Sequence, residues 1–478
     1  MKHPVLLFCS VLLLSAGASA QSVPDRLAQA WERFTTDSQM LAGIASLYVE
    51  EAGSGNVVFS QNARTGLAPA STQKVITAAT AYELLGRDFR YRTDFYLAKG
   101  PSMRSQNPRD SFHFLVVKPS GDPTLGSWRW KFTTESAVQA RLVDALRKSG
   151  ARSIQDVRID TVGWQGESIP GGWTWQDVGN YFGAAAHAVN WHENQYDLVL
   201  RSKGRGLGEL AEFVETRPKI PGFALTSFVR VAAKGTGDRT NIYYGTRPSA
   251  IGYPLEARGT IPADAEAFTV TGSFPDPWVP FYSALWDTLR AAQLSPAALN
   301  VYAPAAAMAH QGLPQRLAHS EYSPSLDSMV FFFLRRSVNL YGEAFTRRIA
   351  LQAGRQALTD EGTEVMRGFW KERGASVAEL HLMDGSGLSP ENRVSTRAQV
   401  QVLQYARSRP WFAGYFQAFP LYNEMKMKSG TISRVKGFCG YHKARDGKEY
   451  VFSFIVNNYN GSASAIVQKM YAVLNELK

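Results

Sequence analysis

Two kinds of sequence pattern alternate along this chain of 478 residues, and their order constrains the fold. Residues 21–92 carry helical and strand-like patterns, and helical periodicity returns over residues 311–478. Between them, from about residue 93 to 310, short apolar runs alternate with Gly, Pro, Asp and Ser, which indicates a β-rich region with many turns. We therefore predict one α/β domain formed by 21–92 and 311–478. A large β-rich insertion at 93–310, expected to contain two subdomains, interrupts it.

The first twenty residues have the pattern of a secretory signal peptide. Lys2 gives a positive start, Val5–Leu14 is an apolar run too short to span a bilayer, and Ala18-Ser19-Ala20 offers small residues for signal peptidase. An N-terminal membrane anchor is the alternative, which the short run disfavours. We expect residues 1–20 to be removed and the protein to be secreted into the periplasm.

The cysteine count and the charge distribution argue against a disulfide-stabilised protein and against a nucleic-acid-binding protein. Cys9 lies in the predicted signal peptide, so Cys439 would be alone in the mature chain and no intramolecular disulfide is expected. The formal net charge is +11, but the basic residues are spread along the chain, so we expect no nucleic-acid partner. No later segment is long and apolar enough to predict a transmembrane helix. The sequence gives no indication of the oligomeric state.

Helical and strand patterns place the residues considered below. The apolar spacing over Thr72–Leu85 predicts a buried helix with Ser71 at its first turn. A long helical stretch is predicted over Leu326–Ala350. Strands are predicted over Ile432–Tyr441 and Tyr450–Val456, after Lys428.

Three short motifs occur in one order and in fitting local structure. Ser71–Lys74 is an S-x-x-K at the start of a helix, where residues three apart share one face. Ser337–Asn339 is an S-x-N after an apolar helical run, and Lys428–Gly430 is a K-S-G near the C-terminal strands. A second S-x-x-K, Ser433–Lys436, lies in a strand-like run, where that geometry fails. Each motif is weak alone, and their order carries the prediction.

The residue types suit serine acyl transfer. A serine hydroxyl is a poor nucleophile and needs an adjacent base. Lys74 can serve as that base for Ser71 only when its amine is neutral. Burial and a second cation, which Lys428 can supply, both disfavour the charged form.

The remaining motif residues suit the binding of a peptide. We expect Ser337 to relay a proton between Lys74 and the leaving amine, and Asn339 to bind the substrate amide. Three residues, Lys428, Ser429 and Thr431, can hold a terminal carboxylate. The backbone N–H groups of Ser71 and Thr431 can form an oxyanion hole.

Each of these residues also has a structural alternative. Ser71 can be a helix N-cap, Ser337 a polar residue in a helix linker, and Lys428 a solvated lysine at a strand edge. The joint occurrence of three motifs in order favours the catalytic interpretation. His187 and His192 are not at metal-site spacing, so no metal or other cofactor is expected.

At these motifs the sequence resembles the low-molecular-mass class C penicillin-binding proteins, the D-alanyl-D-alanine carboxypeptidase/endopeptidase family. The resemblance covers nearly the whole mature chain. The 266-residue separation of Ser71 from Ser337 fits the family's large insertion. Further stretches that resemble the family are Gly121-Asp122-Pro123-Thr124-Leu125, Asp384-Gly385-Ser386-Gly387-Leu388-Ser389 and Phe454-Ile455-Val456-Asn457-Asn458. The sequence departs from the family in having K-S-G where K-T-G is usual, and Lys118-Pro119-Ser120 where relatives are often glycine-rich.

The resemblance implies a penicillin-binding/β-lactamase-like serine transpeptidase fold, of the α/β (α+β) class, with an antiparallel sheet flanked by helices. It implies hydrolysis of D-alanyl bonds in peptidoglycan stem peptides through an acyl-enzyme on Ser71, with β-lactams as covalent inhibitors. Carboxypeptidase and endopeptidase activity are not distinguished. The alternatives are a β-lactamase on the same scaffold and a non-catalytic peptidoglycan-binding protein.

Overall fold

The computed structural model describes residues 21–101, 111–151, 153–164, 166–219, 224–245, 254–294 and 315–478, so the predicted signal peptide lies outside the described residues. Across these ranges no helix has the length and apolar character needed to cross a membrane. The helices are α1 (Val23–Thr35), α2 (Lys74–Leu85), α3 (Glu135–Lys148), α4 (Trp175–Val178), α5 (Trp278–Ala291), α6 (Leu326–Arg335), α7 (Asn339–Gln352), α8 (Thr359–Lys371), α9 (Thr396–Arg407), α10 (Phe412–Ala418) and α11 (Ala463–Leu474).

The strands fall into two groups along the chain, one on each side of α6. Those before it are β1 (Ile44–Glu51), β2 (Val57–Gln61), β3 (Arg92–Pro101), β4 (Ser111–Lys118), β5 (Ile154–Ile159), β6 (Gln195–Arg201), β7 (Glu212–Arg217), β8 (Leu225–Ala232), β9 (Asn241–Tyr244), β10 (Leu255–Pro262), β11 (Phe268–Ser273) and β12 (Gln315–Tyr322). Those after it are β13 (Leu380–His381), β14 (Arg393–Val394), β15 (Leu421–Tyr422), β16 (Met425–Ile432), β17 (Val435–Lys443) and β18 (Glu449–Asn457).

A six-stranded antiparallel sheet joins the two ends of the chain. Its order is β15-β16-β17-β18-β1-β2, so strands from residues 44–61 and 421–457 build one sheet. On one face, apolar residues of α1 and α11 form a core with sheet residues such as Leu47 and Phe454. On the other face, α2 and α6 to α10 form a second core with the sheet. This arrangement confirms the predicted antiparallel sheet flanked by helices.

Serine residues begin several of these helices, because a serine side chain at the N-cap accepts a backbone N–H that the helix leaves unpaired. Ser325 accepts from Ser328 at the start of α6, and Ser395 accepts from Ala398 at the start of α9. Ser462 accepts from Ala465 at the start of α11. The apolar stripe of α11 then packs against the sheet.

The described residues of the insertion form two large apolar cores and one small cluster, which consists of Ala98, Phe114 and Val116. In the first, the sheet β12-β3-β4-β5 packs with α3 and α5. In the second, the small sheets β11-β6-β7 and β8-β10-β9 pack together. Strand β12 begins after the predicted boundary at residue 311 and nevertheless pairs with β3. We therefore propose that the insertion runs to Tyr322 and consists of these two subdomains.

The predicted long helix over Leu326–Ala350 is wrong in one respect. The chain forms two helices there, and α6 ends at Arg335 before α7 begins at Asn339. Ser337, between them, has φ +58°, in the left-handed region that a helix cannot include. Apolar periodicity continues across this break, and neither Gly nor Pro marks it, so the pattern alone predicts one helix.

Candidate active site

Ser71 lies in a short 3₁₀ turn, Ala70–Gln73, that leads directly into α2. The regular helix thus begins at Lys74, slightly later than the pattern over Thr72–Leu85 predicts. In a 3₁₀ turn, side chains at i and i+3 eclipse, which brings Lys74 over Ser71. The Lys74 Nζ lies 3.0 Å from the Ser71 Oγ. Ala70, just before the serine, has φ +46°, an uncommon conformation for a residue other than glycine.

Lys74 is fully buried, and three oxygen atoms surround its Nζ. Besides the Ser71 Oγ, they are the Asn339 Oδ1 and the Ser386 carbonyl oxygen, both at 2.6 Å. A neutral amine has two hydrogens and one lone pair. Because the amide and carbonyl oxygens can only accept, they take both hydrogens, and the lone pair is left for the Ser71 hydroxyl. A neutral Lys74 held in this way can accept the proton of the Ser71 hydroxyl.

Burial favours that neutral state. Desolvation lowers the pKa of Lys74 well below its ordinary value, and the positive charge of Lys428 lowers it further. The carboxyl groups of Asp384 and Glu343 act in the opposite direction and raise the pKa. Desolvation is the largest of these effects, so we expect Lys74 to hold its proton weakly.

The Ser386 carbonyl belongs to the turn Asp384–Ser389. The buried Asp384 carboxylate organises this turn by accepting the backbone N–H groups of Gly387 and Ser389, each at 2.7 Å. Gly387 has φ +80°, and a Cβ there would lie 2.0 Å from the Ala70 carbonyl oxygen. The sequence analysis interpreted this stretch only as a tight turn and a family resemblance, and missed that it supplies an acceptor for Lys74.

The insertion also contacts this turn. The Trp173 indole Nε1 donates to Asp384 Oδ2 at 2.9 Å, across 211 residues of sequence. The Gln73 side chain, next to Lys74, donates to the Asp384 carbonyl. Residues from two distant parts of the chain thus hold the turn, and no local pattern predicts such contacts.

Asn339 is the first residue of α7 and is nearly buried. Its Nδ2 donates to the carbonyl of Phe182 at 2.7 Å, and its Oδ1 accepts from Lys74. Both ends of the amide are therefore engaged by the protein, which fixes its orientation. The predicted role in binding the substrate amide stays a prediction.

Ser337 lies two residues earlier, in the break between α6 and α7, and is half-buried. Among the described residues, its hydroxyl makes no hydrogen bond to Ser71 or Lys74. The predicted proton relay through Ser337 stays a prediction. Its backbone conformation is the feature that sequence analysis did not indicate.

The K-S-G motif lies within β16, and not at the start of the strand pair that sequence analysis predicted. Lys428 is buried opposite Cys439 of β17, and its Nζ donates to the Ser429 carbonyl at 2.7 Å. Desolvation lowers the pKa of Lys428 to about 7. Ser429 is half-buried and Thr431 is exposed, so both hydroxyls are accessible for binding.

Gly430 brings this strand against the turn that carries Ser71. A Cβ at Gly430 would lie 2.6 Å from the Pro69 carbonyl oxygen and 3.0 Å from the Ser71 backbone nitrogen. Only glycine lets the two backbones approach so closely. The contact brings the β16 backbone up to the Ser71 N–H, beside Thr431. The oxyanion hole predicted from the N–H groups of Ser71 and Thr431 stays a prediction.

Glu343 is a buried acid near Lys74 that sequence analysis missed. It lies one turn after Asn339 on α7, and its Oε2 accepts the Gly385 backbone N–H at 3.1 Å. Burial and the neighbouring Asp384 carboxyl raise the pKa of Glu343 to about 8. Its carboxyl thus supports the turn that supplies the Ser386 carbonyl. Within the described ranges, no group of three or more metal-ligating side chains occurs.

The fold defines a class of protein. The chain superposes on the crystal structure of penicillin binding protein 4 (DacB) from Haemophilus influenzae with a TM-score of 0.75 and 20% sequence identity, covering 95% of this chain and 99% of that one. A structure of the same protein complexed with a novel β-lactam gives a TM-score of 0.68 at 19% identity, over 96% and 99% of the two chains. The protein therefore has the penicillin-binding fold.

The sequence assigns the family within that fold. Residues 27–477 match the D-Ala-D-Ala carboxypeptidase 3 (S13) family. The D-alanyl-D-alanine carboxypeptidase of Actinomadura sp. (strain R39) is 24% identical over 468 residues, covering 91% of this chain and 82% of that relative. The chain belongs to the D-Ala-D-Ala carboxypeptidase 3 family of serine peptidases. The resemblance stated from the motifs is thereby confirmed.

Proposed function

We propose that this protein hydrolyses D-alanyl bonds of peptidoglycan stem peptides, as a D-Ala-D-Ala carboxypeptidase or DD-endopeptidase, through an acyl-enzyme on Ser71. One observation carries the proposal. The Lys74 Nζ lies 3.0 Å from the Ser71 Oγ, and its two other oxygen contacts can only accept hydrogens. Family membership and the D-alanyl-D-alanine carboxypeptidase among the relatives support the substrate class.

Acylation then follows from the geometry. The Ser71 Oγ attacks the carbonyl carbon of the penultimate D-alanine while its proton passes to Lys74. The carbon–nitrogen bond breaks, and the leaving amine takes up a proton. The S-x-N motif predicts that Ser337 relays this proton from Lys74. The leaving group is D-alanine in a carboxypeptidase reaction or a cross-linked amine in an endopeptidase reaction.

Deacylation restores the enzyme. A water molecule forms a bond to the acyl carbon as the bond from that carbon to the Ser71 Oγ breaks, and Ser71 regains its proton. Lys428, Ser429 and Thr431 hold the carboxylate of the leaving residue in the first step. The hydroxyl of Ser429 preserves the donor that threonine gives in the K-T-G motif.

β-Lactams are covalent inhibitors under this proposal, because their strained amide presents a carbonyl to Ser71 and the ring keeps the leaving group attached. The β-lactam complex of the Haemophilus influenzae structure supports this partner. Peptidoglycan as the substrate and the predicted signal peptide support a periplasmic location.

The test is labelling with a fluorescent penicillin, compared among the wild type, Ser71→Ala and Ser433→Ala. Ser433 is a matched control because it is the first residue of the other S-x-x-K and lies exposed in the turn between β16 and β17. We expect a stable adduct on the wild type and on Ser433→Ala, and none on Ser71→Ala. Rapid destruction of the drug would instead indicate a β-lactamase. An intact drug without any adduct would indicate a non-catalytic protein.

A second assay separates the two peptidase activities. Release of D-alanine from a pentapeptide measures carboxypeptidase activity, and cleavage of a cross-linked muropeptide dimer measures endopeptidase activity. Both activities should disappear together in Ser71→Ala, since both proceed through the same acyl-enzyme.

A further inference from the structure

Lys436 lies beside the K-S-G strand, on the neighbouring strand β17. It is opposite Thr431 in the antiparallel pairing of β16 with β17, and its Nζ donates to the Thr431 Oγ1 at 2.6 Å. Side chains of a strand alternate between its faces, so Ser429 and Thr431 point to the same side of β16. Lys436 therefore joins the two hydroxyls that the proposed function assigns to carboxylate binding.

The ammonium group of Lys436 has no acidic partner within the described part of the chain. No carboxylate oxygen there lies within 4.0 Å of its Nζ, and its other close contact is the Phe438 ring, 5.5 Å from Nζ to the ring centroid. Lysines elsewhere on this sheet, such as Lys443, pair with an acid. A half-buried cation with no anion of its own is suited to receive one from a ligand.

The hydrogen bond to Thr431 also orients that hydroxyl. A hydroxyl oxygen that accepts from an ammonium directs its own hydrogen away from the donor. An ammonium group has three hydrogens, and only one is used on Thr431. The Lys436–Thr431 pair therefore presents free N–H and O–H donors on one surface, two residues along β16 from Ser429.

We propose that Lys436 is a substrate-binding residue that, with Ser429 and Thr431, binds the α-carboxylate of the residue released by the enzyme. The inference rests on the proposed function and adds a cation that the three motifs do not contain.

Lys428 alone provides only part of the positive charge that would bind this carboxylate. It is buried, it donates to the Ser429 carbonyl, and its lowered pKa of about 7 leaves it partly neutral at neutral pH. Burial also lowers the pKa of Lys436, although this side chain is less enclosed. A bound carboxylate favours the charged form of both lysines, so substrate binding and protonation reinforce each other.

The test compares two peptides that differ only at the C-terminus, one ending in D-Ala-D-Ala and one in D-Ala-D-alaninamide. In Lys436→Met, we expect kcat/KM for the free acid to fall on the order of 10-fold to 100-fold, through KM, with little change for the amide. Lys436→Arg should retain most of the activity because it keeps the charge. Lys443→Met is the matched control, since Lys443 is an exposed lysine about 23 Å further along the same strand.

The outcomes separate this inference from the proposed function. Equal losses on both peptides, or no loss on either, would overturn the role of Lys436 while leaving the peptidase intact. A wild type that cleaves neither peptide and forms no penicillin adduct would overturn both. Thermal midpoints of all variants establish that they are folded, and Lys436→Gln provides a second neutral variant if Lys436→Met is unstable.

Discussion

The amide of Asn339 connects Lys74 to the insertion: its Oδ1 accepts from the Lys74 Nζ at 2.6 Å, and its Nδ2 donates to the Phe182 carbonyl at 2.7 Å. A carbonyl oxygen cannot donate, so Phe182 fixes which end of the amide faces Lys74. Because that end is an oxygen atom, it takes a hydrogen from the amine and leaves the lone pair for Ser71.

Replacing this amide with a carboxylate should change the basicity of Lys74. In Asn339→Asp, a negative charge next to the amine favours its charged form and raises the pKa of Lys74. We expect the rising limb of the penicillin acylation rate against pH to move to higher pH. Asn56→Asp, at an exposed position between β1 and β2, is the control. An unmoved limb would show that Asn339 does not set the protonation of Lys74.

The acylation rate of the wild type should have a bell-shaped pH dependence. It rises with pH as Lys74, whose pKa is well below normal, loses its proton and becomes a base. It falls above about pH 7 as Lys428 loses the charge that binds the carboxylate. Lys428→Arg keeps a positive charge at all accessible pH values, so the falling limb should move to higher pH. The measurement is the second-order acylation rate constant with a fluorescent penicillin.

Glu343 should make stability depend on pH. Its pKa is about 8 in the folded protein against an ordinary value of 4.5, so its stabilising contribution is complete below pH 4.5 and is lost as pH rises through 8. Burial is the largest cause of this shift; the Asp384 carboxyl also raises the pKa, and Lys74 acts in the opposite direction. Glu343→Gln keeps an acceptor for the Gly385 N–H and removes the titration. Between pH 4.5 and 8, the free energy of unfolding of Glu343→Gln should rise relative to that of the wild type by on the order of 1 kcal/mol per pH unit.

Glu343→Leu is the matched comparison, because it removes the acceptor as well as the charge. It leaves the buried Gly385 N–H without a partner and should cost about 1–3 kcal/mol relative to Glu343→Gln. Denaturant unfolding at several pH values measures both effects. Equal stabilities of the two variants would show that the hydrogen bond to Gly385 contributes nothing.

Gly430→Ala should disturb the site by steric overlap, without any change in charge. The added methyl would lie 2.6 Å from the Pro69 carbonyl oxygen, which is backbone and can move only with the Ser71 turn. We expect a loss of about 1–3 kcal/mol of stability and a fall in acylation rate on the order of 100-fold. Gly368→Ala, at an open position on α8 without a left-handed backbone, is the control for glycine replacement. Normal acylation by Gly430→Ala would exclude a close backbone contact.

The sequence predicted the parts of the protein that depend on local spacing. Ser71 and Lys74 share a helical turn, so their contact follows from a separation of three residues. The return of helical periodicity predicted one domain from 21–92 and 311–478; strands from both parts share the six-stranded sheet, and the division itself stays a prediction. The order of the motifs was sufficient to assign the family.

Contacts that depend on tertiary structure were not predictable in this way. Ser386 meets Lys74 across 312 residues, and Gly385 meets Glu343 across 42 residues, with only a turn and a helical acid visible in the sequence. The break at Ser337 has no Gly or Pro to mark it. Each of these features is determined by packing between distant segments, and a local pattern carries no information about it.

The insertion has a consequence for inhibitor design. Two of the three groups around the Lys74 amine, the Asn339 amide and the Asp384–Ser389 turn, are themselves held by insertion residues, Phe182 and Trp173. A compound that separated the insertion from the catalytic domain would misalign the base without occupying the β-lactam site. Substitutions around Ser71 that cause resistance to β-lactams would leave such a compound effective. The contact between the insertion and the rest of the chain is therefore a separate target.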